Sequence, residues 1–536
     1  LSRREWLIGA AGLVACSSDR RDAAHASEGA RDTLTIAFDG AGVSAFALDP
    51  HNSGYAPHNR VMRSIYDSLT RLLPDQSIGP WLAESWELSP ERTQYVFKLR
   101  GGVTFHDGTP FDAAALKYNF DRLADEKNVL SSRAHLGPYV RSEVLAPDRL
   151  RVELSEPYTP FLRNLSTTKL GIVSPAAVEK YGKTFAQNPV ATGPYRFVEL
   201  KPGTEIRLAR NADYRWAPPS SVHQGPAKFA KLNFINVPEE STRVAVLVSG
   251  QADAADLIPP QNLASLRKDA RFTLLERELL NTNYALTLNV THQPWDDADM
   301  RRAVRLSLDI DAIVRTIYLG NYARAWSVLS PGMLGSAERL LADSWKPDPA
   351  RAKQILEQKG WKTGPNGTRV KGGKPLTIRF IDSQGNREKR LDVIKLVRRQ
   401  LQDVGVDLFV DSQQPGVTSI AMTENKHDLA AGAIFHGDPD VLSQSYDPDV
   451  RTSLSGNRVV DHEIIGWLRE AAHEPDGPRR AELYHHVQRK ILDQTYAIPI
   501  YVLPYNIATR KRLHGVSLDE HGFPEFVAAY FADGNA

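Results

Sequence analysis

Tyr95-Val96-Phe97-Lys98-Leu99-Arg100-Gly101-Gly102-Val103-Thr104-Phe105-His106-Asp107-Gly108-Thr109-Pro110-Phe111 is the stretch on which a reading of the fold turns. Tyr95, Phe97 and Leu99 alternate with Val96, Lys98 and Arg100, the period-two pattern of a strand buried on one face. Gly101-Gly102 allows a tight turn, Val103 to Phe105 makes a second short strand, and Asp107-Gly108 supplies residues tolerant of positive φ. Asp112 can accept a bond from a free N–H at the start of the next helix. Leu116, Phe120 and Leu123 then line that helix's inner face. Hairpin, turn and capped helix predict a mixed α/β frame. His106 beside Asp107 invites a catalytic reading, but a satisfied histidine in a turn accounts for it.

Upstream, Leu34, Ile36 and Phe38 mark a first strand over Thr33 to Phe38, and a loop runs from Asp39 to Pro57. Val61, Ile65 and Leu69 predict one face of a helix. Downstream, Met300 to Gly320 reads as two helical stretches broken near Asp309, which can cap the second. Gly367 to Lys374 lies between two strand-like runs and predicts a hairpin.

At 536 residues the chain is too long for one ordinary core, and two or three domains are expected. Hydrophobic residues make up 42% and charged residues 24%, the balance of a globular protein. A net charge of +2 argues against a dedicated nucleic-acid binder. After the first twenty residues nothing approaches the roughly 18 apolar residues of a spanning helix. The start differs. Arg3-Arg4 precede the apolar run Leu7 to Ala15, the plan of an export signal, and the run ends in Leu13-Val14-Ala15-Cys16, which resembles a lipobox. Cys16 is the only cysteine, which excludes disulfides and thiolate metal clusters and leaves it as the expected lipidation site. The segment 1–16 is thus expected to be a lipoprotein signal, resembling a twin-arginine one in its paired arginines. Residues 17–32, polar and aperiodic, read as a flexible tether.

The usual patterns of catalysis are missing: no G-x-S-x-G elbow, no H-E-x-x-H pair and no phosphate loop. Asp438-Pro439-Asp440 lacks the other ligands of a calcium loop. His462, His473, His485 and His486 do not place three imidazoles on one helix face, and a solvated surface accounts for them better than a metal. The chain is expected not to be an enzyme, and to need no cofactor.

Four blocks of sequence carry a resemblance. Leu82 to Phe111 is one; Asn188-Pro189-Val190-Ala191-Thr192-Gly193-Pro194-Tyr195 is the second. Leu247 to Asp256 is the third, and Asn289, Pro294, Asp297, Arg301-Arg302-Ala303 and Asp309 make the fourth. In this order they resemble the family 5 extracellular solute-binding proteins of bacterial ABC importers, the peptide- and nickel-binding group. The resemblance spans about residues 33 to 515. It implies a two-lobed periplasmic-binding-protein architecture with an inserted domain, and a solute taken between the lobes by closure. Lobe I is expected over 33–60, 188–290 and 495–536, the inserted domain over 61–187 and lobe II over 291–494. The implied function is capture of peptide-class solutes for an ABC importer permease by a monomer in the periplasm or cell envelope, lipid-anchored to the membrane. A nickel chelate or an opine-like carboxylated metabolite is the alternative cargo, and an envelope hydrolase on the same frame is the rival of a different class.

The resemblance also names ligand-binding candidates. In peptide-binding members an aspartate before a downstream "D-P" pair holds the peptide ammonium; with Asp438-Pro439 on that pair, Phe435 stands in its place. A buried ammonium without a countercharge is costly, which speaks against a free peptide N-terminus there. Ile434-Phe435-His436 is similar to the nickel-binding branch, where a histidine reaches the metal of a chelate, so His436 is a metal contact only if the ligand carries one. Arg133 and Lys169 fall where that branch has arginines for the chelator's carboxylates, with Lys169 lacking the bidentate fork. Tyr55 falls near a tyrosine at that site. Together Tyr55, Arg133, Lys169, Phe435 and His436 imply a pocket for an anionic ligand.

Overall fold

A computed structural model describes residues 32–40, 47–53, 56–128, 130–382, 386–413, 415–450 and 456–532. Cys16 and Tyr55 lie outside them. Gln94–Leu99 runs through the middle of a four-stranded antiparallel sheet, between Ala83–Leu88 and Arg149–Leu154, with Tyr139–Ala146 at the edge. Tyr95, Phe97 and Leu99 are buried and Lys98 is exposed, as the alternation requires. The second strand of the predicted hairpin shrinks to one bridge between Thr104 and Pro110. Asp112 Oδ1 accepts from the Ala115 N–H at 2.9 Å, and the helix Ala113–Ala124 buries Leu116, Phe120 and Leu123. These residues pack with Phe161, Leu150 and Val152 into the core of the inserted domain.

The helix expected through Leu69 stops at Met62. Ile65 and Leu69 are still fully buried, but on an irregular segment. The cause lies in the second block: the Gly193 N–H donates to Ile65 O at 2.9 Å, and a Cβ on Gly193 would stand 2.3 Å from that oxygen. Two backbones meet where only glycine fits. His106 ties the hairpin to the same block, with Nε2 2.9 Å from Gly193 O and its backbone N–H bonded to Ala191 O. Asp67, fully buried beside them, accepts from Thr192, Tyr214 and Trp216, and burial pushes its carboxyl up to about 7. The motif residues build the frame.

Two larger sheets form the lobes. The first has seven strands in the order Phe272–Glu278, Pro504–Arg510, Ala254–Asp256, Thr33–Phe38, Lys231–Asn236, Glu205–Arg210, Tyr195–Lys201. Thr33–Phe38 is parallel to both its neighbours. The second has five: Asp407–Ser412, Thr377–Asp382, Leu429–Gly432, Tyr284–Leu288, Ala497–Tyr501. The strands Tyr284–Leu288 and Ala497–Tyr501, which fall inside the expected lobe I segments, pair in this second sheet. The chain therefore passes between the sheets over 279–283 and returns over 502–503. Helices Ala298–Leu306 and Ile310–Tyr318 break at Asp309, which caps the second through Ala312 N. Arg369–Lys371 and Lys374–Pro375 form the expected hairpin.

Candidate functional site

The strand Leu429–Gly432 continues as Ala433, Ile434, Phe435 and His436 toward the passage between the lobes. Asn281 and Thr282 of that passage hold it: Asn281 bridges Phe435, and the Thr282 N–H donates to Ile434 O at 3.0 Å. The inserted domain brings two short 3-10 turns to the same place, Arg133–Leu136 and Thr168–Leu170. Lys169 Nζ donates to Phe435 O at 2.8 Å and lies 3.1 Å from His135 Nε2. The His135 and His436 rings sit 4.7 Å apart at 30°. Phe435 packs on Phe523 at 4.6 Å and on the edge of His521 at 5.8 Å, with Lys169 Nζ 5.7 Å from its ring centre. His521 Nε2 meets Ser166 Oγ at 3.0 Å. Lys169, His135, Phe435, His436 and His521 are all buried, and among the described residues Nδ1 of His521 has no hydrogen-bond partner.

Lys169 is the cation in contact with the cluster, while Arg163, Arg63 and Asp438 act on its rings without bonding Lys169. Burial pushes Lys169 down to about 8. Its hydrogen-bond partners are a carbonyl and an imidazole; among the described residues no carboxylate comes within ion-pair distance of it. Burial and the neighbouring Lys169 push His436 down to about 3 and hold His135 well below the usual imidazole range, so both rings are neutral. Asp438 is committed elsewhere. Its Oδ1 lies 2.7 Å from Arg480 Nη2, its Oδ2 3.3 Å from Arg163 Nε, and it caps the turn that follows by accepting from Asp440 N.

The structure thus brings Lys169, Phe435 and His436 into one cluster. Arg133 stands apart: half exposed on the outer side of its turn, it pairs with Glu126 at 3.1 Å. The cluster adds His135 and His521, which the sequence reading passed over. His135 sits two residues from Arg133, and the turn directs it inward. His521 arrives from the hairpin Ser517–Leu518 and Pro524–Glu525, far along the chain, with no spacing that announces it. Among the described residues no three His, Cys, Asp or Glu side chains are grouped to hold a metal ion. Between the two lobes themselves, Lys389 of the second pairs with Glu240 of the first at 2.6 Å, and Arg387 approaches Asp39 at 3.4 Å. The arrangement is chemically suited to hold an anion by its charge and to shut water out around it.

Comparison with known proteins gives a consistent picture. The family described as "Bacterial extracellular solute-binding proteins, family 5 Middle" matches residues 77–449. The chain is 28% identical over 486 residues to the glutathione-binding protein GsiB of Escherichia coli (strain K12), covering 87% of this chain and 89% of that protein. Among solved structures it resembles NikA from Brucella suis in complex with Fe(III)-EDTA, with TM-score 0.79, 23% identity and coverage of 93% of this chain and 100% of that one. It also resembles the oligopeptide-binding protein AppA from Bacillus subtilis in complex with a nonapeptide, with TM-score 0.83, 18% identity, and coverage of 94% and 99%.

Proposed function

Because the chain belongs to the family 5 bacterial extracellular solute-binding proteins, we propose that its lobes close on a short peptide-class solute held by a carboxylate at Lys169. Proteins of this family bind solutes for ABC importers and are not enzymes. The observation that carries the reading is a buried ammonium with no countercharge among the described residues. A charge left so is unfavourable, and a solute carboxylate would complete it. Such a charge-assisted bond contributes about 1.5–3 kcal/mol once water is excluded. Glutathione, a short peptide with two carboxylates, is the first solute to try, given the relative named for binding it.

The test is calorimetry across pH 6.5 to 9.5 with glutathione, free peptides, their C-terminal amides, a nickel–histidine chelate and an opine. With the lobes closed on no solute, Lys169 holds its proton below about 8, and a bound carboxylate raises that value. Binding above 8 therefore takes up a proton. Affinity should be nearly constant from pH 6.5 to 8 and fall by up to tenfold per unit above it. Amides that bind as tightly as the acids, with no fall at high pH, would remove Lys169 from the solute. If a chelate binds best instead, His436→Ala should abolish it.

The reading places the protein outside the cytoplasmic membrane, as a monomer tethered by acyl chains on Cys16. No helix among the described residues is long and apolar enough to cross a membrane. One acyl chain holds only marginally, so stable attachment needs more than one. Cys16→Ser in the full chain should move the protein from the membrane to the soluble fraction and remove lipid label; retention of both would refute the anchor.

A further inference from the structure

The seam between the inserted domain and the second lobe continues beyond Lys169, past Asp438 and Arg163. Thr159 donates through its backbone N–H to Ala472 O and through its hydroxyl to Glu474 O, each at 2.8 Å. Arg92 donates to His473 O at 2.7 Å. Inside this seam lie three carboxyl groups of the second lobe and two guanidinium groups. Arg163, from the inserted domain, reaches Asp438 at 3.3 Å and Asp476 at 3.0 Å. Arg480, from the second lobe, reaches Asp438 at 2.7 Å and Asp476 at 2.6 Å. The two guanidinium groups balance these two carboxylates. Asp440 is the third.

Asp440 is buried, and its side-chain partners are neutral hydroxyls. Tyr158 of the inserted domain donates to Oδ2 at 2.7 Å and Ser443 to Oδ1 at 2.7 Å. Its own N–H bonds Asp438 Oδ1 at 2.9 Å, so a second carboxylate stands two residues away with both arginines already engaged. The Tyr484 hydroxyl takes up Arg480 Nη2 on the far side. Three charged or titratable groups thus face Asp440 from its own lobe: Asp438, Arg480 and Tyr484. From the inserted domain it meets Tyr158, with Arg163 beyond Asp438. The exposed pair His473–Glu156, at 3.3 Å, rims the seam. Asp438, Asp440 and the half-exposed Asp476 thus outnumber Arg163 and Arg480 by one, while Arg92 at the edge is held by a carbonyl and a hydroxyl.

We infer that closure of the inserted domain onto the second lobe takes up a proton at Asp440, so that solute capture is linked to pH at a point the solute does not touch. Burial and the Asp438 charge push the closed carboxyl up to about 6. When the seam parts, Tyr158 and Arg163 leave, water enters, and the carboxyl returns toward an ordinary value near 4. The closed state then binds more protons than the open one between those values, so closure and affinity rise as pH falls through 6 and level off below about 4. Asp440 thereby favours capture in an acidified envelope. Tyr158 and Arg163 act as positioning residues that report closure to it.

This rests on the proposed closure around a peptide-class solute, and the experiment separates the two. Glutathione and the peptide panel are titrated calorimetrically at pH 5, 6 and 7 in two buffers of different ionisation enthalpy. The His473→Gln protein is used, to silence the rim pair. Binding should be about tenfold tighter at pH 5 than at pH 7, with a fraction of a proton taken up at pH 6. Asp440→Asn, which keeps the shape and the hydroxyl contacts, should bind at pH 7 as tightly as its parent does well below pH 4, about a hundredfold tighter than the parent at pH 7, with no uptake at pH 6. The loss of affinity above pH 8, which belongs to Lys169, should survive in it. Binding without uptake, or a pH 5 to 7 dependence unchanged in Asp440→Asn, overturns the inference and leaves the solute assignment standing. A panel in which nothing binds at any pH overturns both.

Discussion

Replacing Lys169 by methionine should weaken capture of a carboxylate-bearing peptide by tenfold or more and, at the same time, make the solute-free protein harder to unfold. The two effects have one cause. Lys169 is buried, its ammonium faces a carbonyl and a neutral imidazole, and burial has pushed it down to about 8. An unfolded lysine holds its proton to about 10.4. Between those values the unfolded chain binds more protons than the folded one, so the stability of the natural protein rises with pH across that window. Below pH 8 the full cost is present. Methionine fills a similar volume without charge but leaves Phe435 O and His135 without their donor, which returns part of the gain. A net gain of about 1–2 kcal/mol is expected below pH 8, shrinking toward pH 10. Scanning calorimetry at pH 7 and 9.5, with titration of glutathione, reads both halves. Lys169→Arg is the control, since it keeps the charge. A methionine protein that is less stable at pH 7, or that binds acids as before, would mean that Lys169 serves packing.

The parts of the molecule that the sequence made legible are those built by neighbours in the chain. Alternation at Tyr95, Phe97 and Leu99, the cap at Asp112 and the break at Asp309 need no partner far away, and each is found where the spacing puts it. The helix beyond Met62 fails for the opposite reason. Ile65 and Leu69 have helical spacing, but Gly193, more than a hundred residues on, meets the Ile65 carbonyl and takes the segment out of the helix. Strands 284–288 and 497–501 show the same limit. Their side chains say that they are buried and cannot say in which sheet. At the site, resemblance pointed to Lys169, Phe435 and His436, which lie together, and to Arg133, which lies outside on a four-residue turn too short for a periodicity to fix its direction. His135 and His521 join through tertiary folding alone.

The heaviest structural loss is expected from Asp438→Ala. Asp438 and Arg480 are fully buried, Arg163 nearly so, and one carboxylate serves both guanidinium groups. The pairing holds the Asp438 carboxyl below its usual range and raises Arg480, although burial by itself opposes both shifts. Alanine would leave two cations with only the half-exposed Asp476 between them. Removing one partner of a buried pair costs about 3–5 kcal/mol, because the charge left behind has lost both its partner and its water. The cap on the turn Pro439–Leu442 goes with it, at about 1 kcal/mol. The damage should be local at first. Hydrogen exchange should quicken in the turn at 439–446 and in the helices His462–His473 and Pro478–Asp493 before the sheets respond. A double variant, Asp438→Leu with Arg480→Met, should recover much of the loss, since an apolar pair of like volume can replace a buried ion pair. It should not recover all of it, because Arg163 still enters the seam from the inserted domain. If Asp438→Ala unfolds within about 1 kcal/mol of the natural protein, water already reaches these charges, and the seam is looser than its distances indicate.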